Sequence, residues 1–228
     1  MILASDFDDT LFTNDINIVN KNIESINKFR NLGNLFVIIT GRGISIRKCI
    51  EDYNIPYDYL ICENGAMIYD KNDNIISSTY LDIKDIDTIK NIIKRDNLKF
   101  ILDTGDKYIE DINYNNNSLV SIFIDRKTTN DSEKILEEIL SSTNTYSYLS
   151  TNWINIVNKS INKMKAINIL DNYLENKYKI FAIGDAINDI DMIVKYNGGV
   201  MTNHEKELDK LENKNYDTLS DYIEELIK

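Results

Sequence analysis

Asp6-Phe7-Asp8-Asp9-Thr10 crowds three carboxylates together where a short apolar segment that begins at Ile2 comes to its end. Such crowding is unfavourable unless a cation lies nearby to neutralise it. Side chains alternate along an extended chain, so we expect Asp6 and Asp8 to point to the same side. One of these carboxylates could then bind a metal ion while the other transfers a proton. Taken alone, the stretch also fits a turn followed by a helix cap.

The residues after this stretch predict the opening of a parallel α/β sheet. Apolar residues recur at helical spacing before Gly33, namely Val19, Ile23, Ile26 and Phe29. The solidly apolar segment 35–39 then predicts a buried strand that ends at Thr40-Gly41. A second helix leads to Pro56, and a third strand is expected over 59–62. This order of strand, helix and strand is typical of α/β folds.

The pattern of the chain changes after Asn64-Gly65. The segments 66–69 and 75–78 flank a turn-like tetrapeptide, which predicts a hairpin. Helices and strands then follow in an α+β order to about residue 150, and the α/β order resumes with a helix and an apolar strand over 180–183. We therefore expect an α/β core formed by residues 1–80 and 151–228, interrupted by an inserted α+β domain over 81–150.

A second acidic motif, Gly184-Asp185-Ala186-Ile187-Asn188-Asp189, follows the strand predicted over 180–183. Open α/β sheets bind ligands at the carboxyl ends of their strands, so the two acidic stretches should meet there. A site of Asp side chains and a backbone carbonyl suits a hard, oxygen-preferring ion such as Mg²⁺. Taken alone, this motif also fits a helix N-terminus rich in Asp and Asn.

Two further positions are candidates for holding a phosphate group. Thr40-Gly41-Arg42 ends the second strand, where a hydroxyl and backbone N–H groups at a helix start can bind a phosphate oxygen. By itself this is also an ordinary strand-to-helix turn. Lys163 lies just before the helix that leads to the Gly184 strand, and its ammonium can pair with an anion. By itself it also fits a solvated surface lysine.

Together these stretches resemble, in order and spacing, the four motifs of the haloacid dehalogenase superfamily: DxDxT, an apolar strand ending in Thr, a Lys, and GDxxND. The resemblance covers the whole chain and is closest to the Cof-type phosphatases of subfamily IIB, which carry an inserted α/β cap. Glu63-Asn64-Gly65-Ala66 resembles that branch's approach to the cap, and residues 157–163 resemble its approach to the lysine. Gly199-Val200-Met201-Thr202-Asn203 is similar to its late Gly-x-x-Met-x-Asn segment. The resemblance implies a Rossmann-like parallel-sheet core with an inserted α+β cap.

The resemblance also implies an activity, that of a magnesium-dependent phosphatase which hydrolyses small phosphate monoesters, with sugar phosphates as the expected class. Asp6 is then the nucleophile, and it forms an aspartyl-phosphate that water hydrolyses. Asp8 is expected to protonate the leaving oxygen and then to take a proton from the attacking water. Thr40 and Lys163 complete the implied catalytic set by stabilising the phosphoryl oxygens.

The resemblance further implies which residues hold the metal and the phosphate. The implied metal site is formed by Asp6, the Asp8 carbonyl, Asp185 and Asp189. The implied phosphate-binding residues are Thr40, Gly41, Arg42, Lys163, Asn188 and Asn203. Two positions depart from the family's pattern, since Asp9 stands where many relatives have Gly and Met164 follows Lys163 where Gly is usual. Because the second departure affects the path of that loop, Lys165 is an alternative phosphate-binding lysine.

Other functions are compatible with parts of this pattern. Phosphomannomutase-like phosphoryl transfer would keep the chemistry but needs a basic cap, and acidic residues accompany Lys99, Lys107, Arg126 and Lys127 here. A phospho-accepting receiver or regulatory module also surrounds Mg²⁺ with Asp, Thr and Lys. Its third strand ends in Asp, however, where this chain has Cys62-Glu63-Asn64. A catalytically silent binding protein is a third alternative, although every expected catalytic side chain is present.

The composition limits the expected partners and location. The formal net charge of −11 disfavours nucleic acid and anionic membranes as partners. The partner that the resemblance implies is a small phosphorylated metabolite. The chain lacks a secretory segment and any apolar run near the roughly 20 residues that span a bilayer. We therefore expect a cytoplasmic protein that is a monomer or a small homo-oligomer. Residues 103–117 are neither apolar nor basic enough to identify the leaving group.

Overall fold

Residues 1–114 and 118–228 are described by a computed structural model of the chain. Residues 115–117 lie outside these described residues. They end the segment 103–117, whose sequence did not identify a leaving group. The described chain divides into two units, of which the first contains residues 1–77 and 163–228 and the second contains residues 78–162.

The strands and helices are numbered in chain order. The strands are β1 (Ile2–Asp6), β2 (Leu35–Ile39), β3 (Tyr59–Cys62), β4 (Met67–Asp70), β5 (Ile75–Ser78), β6 (Phe100–Asp103), β7 (Tyr108–Ile109), β8 (Ser121–Asp125), β9 (Thr145–Leu149), β10 (Trp153–Asn158), β11 (Ile180–Gly184), β12 (Gly199–Met201) and β13 (Asn215–Tyr216). The α-helices are α1 (Ile16–Asn31), α2 (Ile46–Asp52), α3 (Ile83–Asp96), α4 (Ser132–Ser142), α5 (Lys163–Tyr173), α6 (Ile190–Tyr196) and α7 (Leu219–Leu226).

The first sheet has the order β13-β12-β11-β1-β2-β3-β4-β5. Neighbouring strands from β13 to β3 are parallel, and β4 is antiparallel to β3. The predicted α/β core and the predicted hairpin of β4 and β5 are therefore confirmed. Because β1 lies between β11 and β2, the loops after β1 and β11 leave the same edge of the sheet from adjacent strands.

The local sequence explains the first strand and the helix that follows it. All residues of β1 are buried, as is usual for a parallel strand covered on both faces. The α1 helix begins after Asp15, whose carboxylate accepts a hydrogen bond from the Asn17 N–H and so caps the helix. Val19, Ile26 and Phe29 are buried on its inner face. These elements hold the end of β1 in a fixed position.

The second unit has its own antiparallel sheet, with the order β7-β6-β8-β10-β9. Side chains that alternate along its central strands join a core with residues of α3 and α4. From the strands this core includes Leu102, Ile122, Ile124, Ile154 and Ile156, and from the helices Ile89, Ile93, Ile135 and Ile139. The unit therefore contains its own hydrophobic core.

The expected boundary of the inserted domain differs from the structure at both ends. The sequence placed it at 81–150, whereas the second unit runs from Ser78 to Asn162. The larger difference has a clear cause, because β10 pairs with both β8 and β9 along its length. Residues 151–162 thus complete the second sheet and do not belong to the core. No helix within the described ranges is both long and apolar enough to cross a membrane.

Candidate active site

Three carboxylates meet at the carboxyl edge of the first sheet. Asp6 ends β1, and Asp185 and Asp189 follow β11. One oxygen from each of these three side chains lies within 4.8 Å of the others, and all three residues are buried. The predicted meeting of the two acidic motifs therefore occurs, because β1 and β11 are adjacent and parallel.

Lys163 provides the positive charge next to this cluster. Its Nζ lies 2.5 Å from Asp6 Oδ1 and 2.6 Å from Asp189 Oδ1, and the side chain is only 1% exposed. Burial alone would lower the pKa of Lys163, but the charges of Asp189 and Asp6 hold this pKa above its ordinary value. The ammonium is therefore charged at neutral pH. The structure places Lys163 beside Asp6.

The cluster carries more negative than positive charge. Burial raises the pKa of Asp6 well above its ordinary value, and the charges of Asp189 and Asp185 act in the same direction against Lys163. Burial also raises the pKa of Asp185 to about 6, with a further contribution from Asp189. Three buried carboxylates and one ammonium therefore fit a divalent cation, which would remove this penalty. An all-oxygen set of this kind suits Mg²⁺.

Asp189 and Thr10 hold the residues around Asp185 in place. Asp189 Oδ2 accepts hydrogen bonds from the Asp185 N–H over 3.1 Å and the Ala186 N–H over 3.0 Å. A side chain at Gly184 would collide with the Asp189 carboxylate, since a Cβ atom there would lie 2.4 Å from its Cγ. Thr10 donates to Asp185 Oδ1 over 2.8 Å. With Asp189 engaged in this way, Asp6 and Asp185 are the side chains best suited to contact a cation.

Asp8 lies outside the three-carboxylate cluster. Its carboxylate accepts hydrogen bonds from Arg42 Nε, over 2.8 Å, and from Arg42 Nη2. Both side chains are about half exposed. The Arg42 guanidinium also lies over the Phe7 ring, 5.5 Å from its centroid. The Asp8 carboxylate thus lies apart from the cluster. Arg42 contacts this carboxylate in the structure, so the expected contact of Arg42 with phosphate stays a prediction.

Thr40 directly follows β2 and is buried beside a strained turn. Its Oγ1 accepts a hydrogen bond from the Arg42 N–H over 3.0 Å, and its carbonyl accepts one from the Asn64 N–H over 3.0 Å. Glu63 and Asn64 both have positive φ, of 52° and 53°, a region that non-glycine residues seldom adopt. Asn64 Oδ1 also accepts a hydrogen bond from Asn188 Nδ2 over 2.8 Å. This turn therefore connects the Thr40 loop with the loop after β11.

Asn203, predicted to bind phosphate, contacts the backbone of the first acidic loop. Its Nδ2 donates to the Asp9 carbonyl over 3.1 Å. Two positions later, Glu205 contacts the second acidic loop through both its backbone N–H and its carboxylate. No individual role was predicted from the sequence for Glu205, Asn64 or Thr10. Motif patterns could have indicated Thr10 and Asn64, but an exposed Glu on a loop carries no sequence signal.

The chain is similar to proteins of one family along nearly its whole length. A family model described as haloacid dehalogenase-like hydrolase matches residues 3–116 and 103–221. A protein of Buchnera aphidicola subsp. Baizongia pistaciae that is named as a phosphatase is 27% identical, over 88% of this chain and 85% of its own length. The 5-amino-6-(5-phospho-D-ribitylamino)uracil phosphatase of Bacillus subtilis is 26% identical, over 92% of this chain and 86% of its own length.

Solved structures share the fold. A sugar phosphatase of haloacid dehalogenase subclass IIB superposes with a TM-score of 0.78 at 15% sequence identity. The superposition covers 99% of this chain and 97% of that one. The match therefore extends over both units of the fold, including the inserted segment.

Proposed function

Because this chain belongs to the haloacid dehalogenase-like hydrolases, we propose that it is a phosphatase of their subclass IIB type and that it hydrolyses small phosphate monoesters with Asp6 as nucleophile and Mg²⁺ as cofactor. One observation carries this proposal. Asp6, Asp185 and Asp189 converge around the buried ammonium of Lys163 at the carboxyl edge of a parallel sheet. This arrangement supports a site that attracts a cation and a phosphate together.

Asp6 and Asp8 have different proposed roles in the reaction. A carboxylate oxygen of Asp6 attacks phosphorus, and the bond from phosphorus to the leaving oxygen breaks. Asp8 gives a proton to that oxygen as it leaves. Asp8 then takes a proton from water, whose oxygen attacks the aspartyl-phosphate, so that inorganic phosphate departs and the Asp6 carboxylate is restored. The side-chain carboxylate of Asp8, which pairs with Arg42, lies outside the three-carboxylate cluster and is therefore not one of the proposed metal ligands.

Charge is balanced around the transferred group by residues already in place. Bound Mg²⁺ supplies positive charge that offsets the repulsion between the Asp6 carboxylate and the phosphate. Asp6 and Asp185 would hold it, together with the Asp8 carbonyl, while Asp189 keeps the backbone of Asp185 in position. Lys163 and the Thr40 hydroxyl are proposed to stabilise the phosphoryl oxygens, with the backbone N–H groups of Gly41 and Arg42 nearby in sequence.

We propose that the substrate is a phosphorylated sugar or polyol. The Bacillus subtilis relative acts on a compound that carries its phosphate on a ribityl chain, and the subclass IIB structure is that of a sugar phosphatase. Both descriptions place phosphate on a polyhydroxylated carbon chain. Residues 78–162 are the proposed cap that selects the leaving group, since the first unit contains every residue assigned to the chemistry.

Measurement of phosphate release tests the proposal. Wild-type protein should release inorganic phosphate from members of a panel of sugar phosphates, polyol phosphates, nucleotides and p-nitrophenyl phosphate. Asp6→Asn should lower this activity at least about a thousandfold, because the amide is neither a nucleophile nor a charged ligand. Asp9→Asn is the matched control, since Asp9 is an exposed acid in the same loop with no assigned role. It should keep activity within a few-fold of wild type.

Trapping the aspartyl-phosphate tests the covalent mechanism separately from the phosphatase activity. Borohydride treatment of acid-quenched turnover mixtures should convert residue 6 to homoserine, which peptide mass spectrometry detects. A phosphatase in which Asp6→Asn keeps its rate, and in which no residue is trapped, would exclude covalent catalysis by Asp6. Transfer of phosphate between sugar positions without release to water would instead favour the mutase alternative.

A further inference from the structure

Residues 202–205 form hydrogen bonds with both acidic loops of the site. This segment follows β12 and precedes the short helical turn Lys206–Lys210. From this segment Asn203 Nδ2 donates to the Asp9 carbonyl over 3.1 Å, in the loop after β1. The Glu205 N–H donates to the Asp185 carbonyl over 2.8 Å, in the loop after β11. One short segment thus bonds to both loops that present carboxylates to the cluster.

Glu205 also fixes the second loop through its side chain. Its Oε2 accepts a hydrogen bond from the Ile187 N–H over 2.8 Å. The two preceding N–H groups, of Asp185 and Ala186, both donate to Asp189 Oδ2. The successive N–H groups at 185, 186 and 187 are therefore held by two carboxylates from different places in the chain. Glu205 accepts the hydrogen bond of the Ile187 N–H, which Asp189 does not.

We propose that Asn203 and Glu205 are positioning residues that hold the two acidic loops together and thereby set the affinity of the Asp6–Asp185 site for a divalent cation. This inference rests on the proposed function, since it concerns the same metal site. Neither residue belongs to the three-carboxylate cluster, so both act through the backbone of the loops. Residues that orient metal ligands in this way typically change metal affinity about 10- to 100-fold when they are removed.

The effect of Glu205 should come from its hydrogen bond and not from its charge. Glu205 is exposed, and the charge of an exposed carboxylate is screened by water and salt. Glu205→Gln removes the charge but keeps a carbonyl oxygen that can accept from the Ile187 N–H, whereas Glu205→Ala removes both. Glu207 lies two positions away, is also exposed, and lies in the short turn that follows. Glu207→Ala and Glu207→Gln are therefore matched controls.

Two measurements on the full chain test the inference. The first is hydrogen exchange of residues 185–188 in metal-free protein, which reports whether Glu205 holds the loop. The second is calorimetric titration with Mg²⁺, which reports affinity without reference to turnover. We expect Glu205→Ala to speed exchange at Ile187 and to weaken Mg²⁺ binding on the order of tenfold. Glu205→Gln should stay within about threefold of wild type, and both Glu207 variants should match it. Asn203→Ala should weaken Mg²⁺ binding in the same direction.

Steady-state kinetics at saturating Mg²⁺ distinguishes a lower metal affinity from a general loss of structure. At saturating Mg²⁺, Glu205→Ala should recover most of the wild-type kcat with an unchanged KM for the phosphate ester, since only the cation requirement has changed. Unchanged exchange at Ile187, or unchanged Mg²⁺ affinity in Glu205→Ala, would overturn the inference. Equal weakening in Glu205→Gln and Glu207→Gln would also overturn it, because the effect would then be one of charge. A wild-type protein that binds no Mg²⁺ would instead refute the proposed metal site, and the inference with it.

Discussion

The Thr10 hydroxyl donates a hydrogen bond to Asp185 Oδ1 over 2.8 Å, which links the loop after β1 to the loop after β11 within the buried site. The bond leaves the other carboxylate oxygen of Asp185 available for a cation. It also opposes the rise of the Asp185 pKa that burial causes. Thr10 therefore aims one proposed metal ligand and keeps it ionisable.

Replacing Thr10 by Val should weaken the cation site. Val keeps the shape of the buried side chain but removes the hydroxyl, so Asp185 loses its orientation and its pKa rises further. We expect the Mg²⁺ concentration for half-maximal activity to rise on the order of tenfold. Thr10→Ser keeps the hydroxyl and should restore most of the affinity. Equal Mg²⁺ requirements in the Val and Ser variants would exclude this role for the hydroxyl.

The stability of the metal-free protein should depend on pH through Asp185. Its pKa is about 6 in the folded protein, against an ordinary value of 3.8. A folded-state pKa that is raised for an acid means that the folded state holds the proton more tightly than the unfolded state. The resulting stabilisation is present below about pH 4 and is lost as the pH rises through 6.

Comparison with Asp185→Asn isolates this contribution from the other acids. Asn cannot ionise, so as the pH rises from 4 to 7 the stability of the metal-free variant should increase relative to that of metal-free wild type by about 3 kcal/mol. Denaturant unfolding at several pH values measures the difference. Mg²⁺ requires the ionised carboxylate, so it should raise the Tm of wild type more at pH 8 than at pH 5 and should do little for the variant. A difference between the two proteins that does not vary with pH would contradict the assignment.

Lys163→Met should be strongly destabilising at neutral pH. It removes the ammonium that lies between Asp6 and Asp189 and leaves buried carboxylates without their partner. Removal of one member of a buried pair costs about 3–5 kcal/mol. Lys165→Met is the control, since Lys165 is only partly buried whereas Lys163 is fully buried, and it should change stability much less. Because the pKa of Asp6 is raised, protonation should reduce the loss at pH 5. A loss that is equal at pH 5 and pH 8 would argue against the charge explanation.

Removal of the second unit should separate specificity from chemistry. Residues 79–162 would be replaced by a short Gly/Ser linker, which leaves β5 and α5 intact. We expect the shortened chain to fold around the first sheet and to hydrolyse p-nitrophenyl phosphate weakly, with dependence on Asp6 and Mg²⁺. Differences in kcat/KM among sugar phosphates should fall to within about tenfold. A folded, shortened protein with the full substrate preference would place specificity in the first unit.

The sequence predicts the meeting of Asp6 and Asp185 for a simple reason. Asp6 ends one apolar strand and Asp185 directly follows another, and the carboxyl ends of parallel strands lie at one edge of a sheet. The resemblance to a family added Lys163, which spacing alone would have left as a surface lysine. The ion pair of Asp8 could not be predicted in this way. The ion pair of Asp8 with Arg42 depends on where a long, flexible side chain settles, and that choice is made by tertiary contacts.

Other differences arise from partners that are distant in sequence. The strand β10 carries Ile154 and Ile156 around Asn155, but its place in the second sheet is decided by pairing with β8 and β9, and the sequence boundary at 150 was therefore too early. Glu205 has no pattern at all, because an exposed Glu gains its role only when the loop after β11 folds against it. Local propensity and motif spacing thus predicted the central strands of the first sheet and the acidic loops, and not the contacts that connect them.

Lys163 is the first residue of the core after the inserted unit and also the cation between Asp6 and Asp189. The two junctions of the insertion are therefore unequal. The outgoing junction follows β5, an edge strand with partly exposed residues, where extra residues are easily absorbed. At the returning junction, one residue added at the start of α5 would turn the ammonium about 100° around the helix axis. When the whole second unit is exchanged between relatives, the junction after β5 should therefore tolerate changes in length. The hybrid should be active only if the other junction keeps Lys163 at its position at the start of α5.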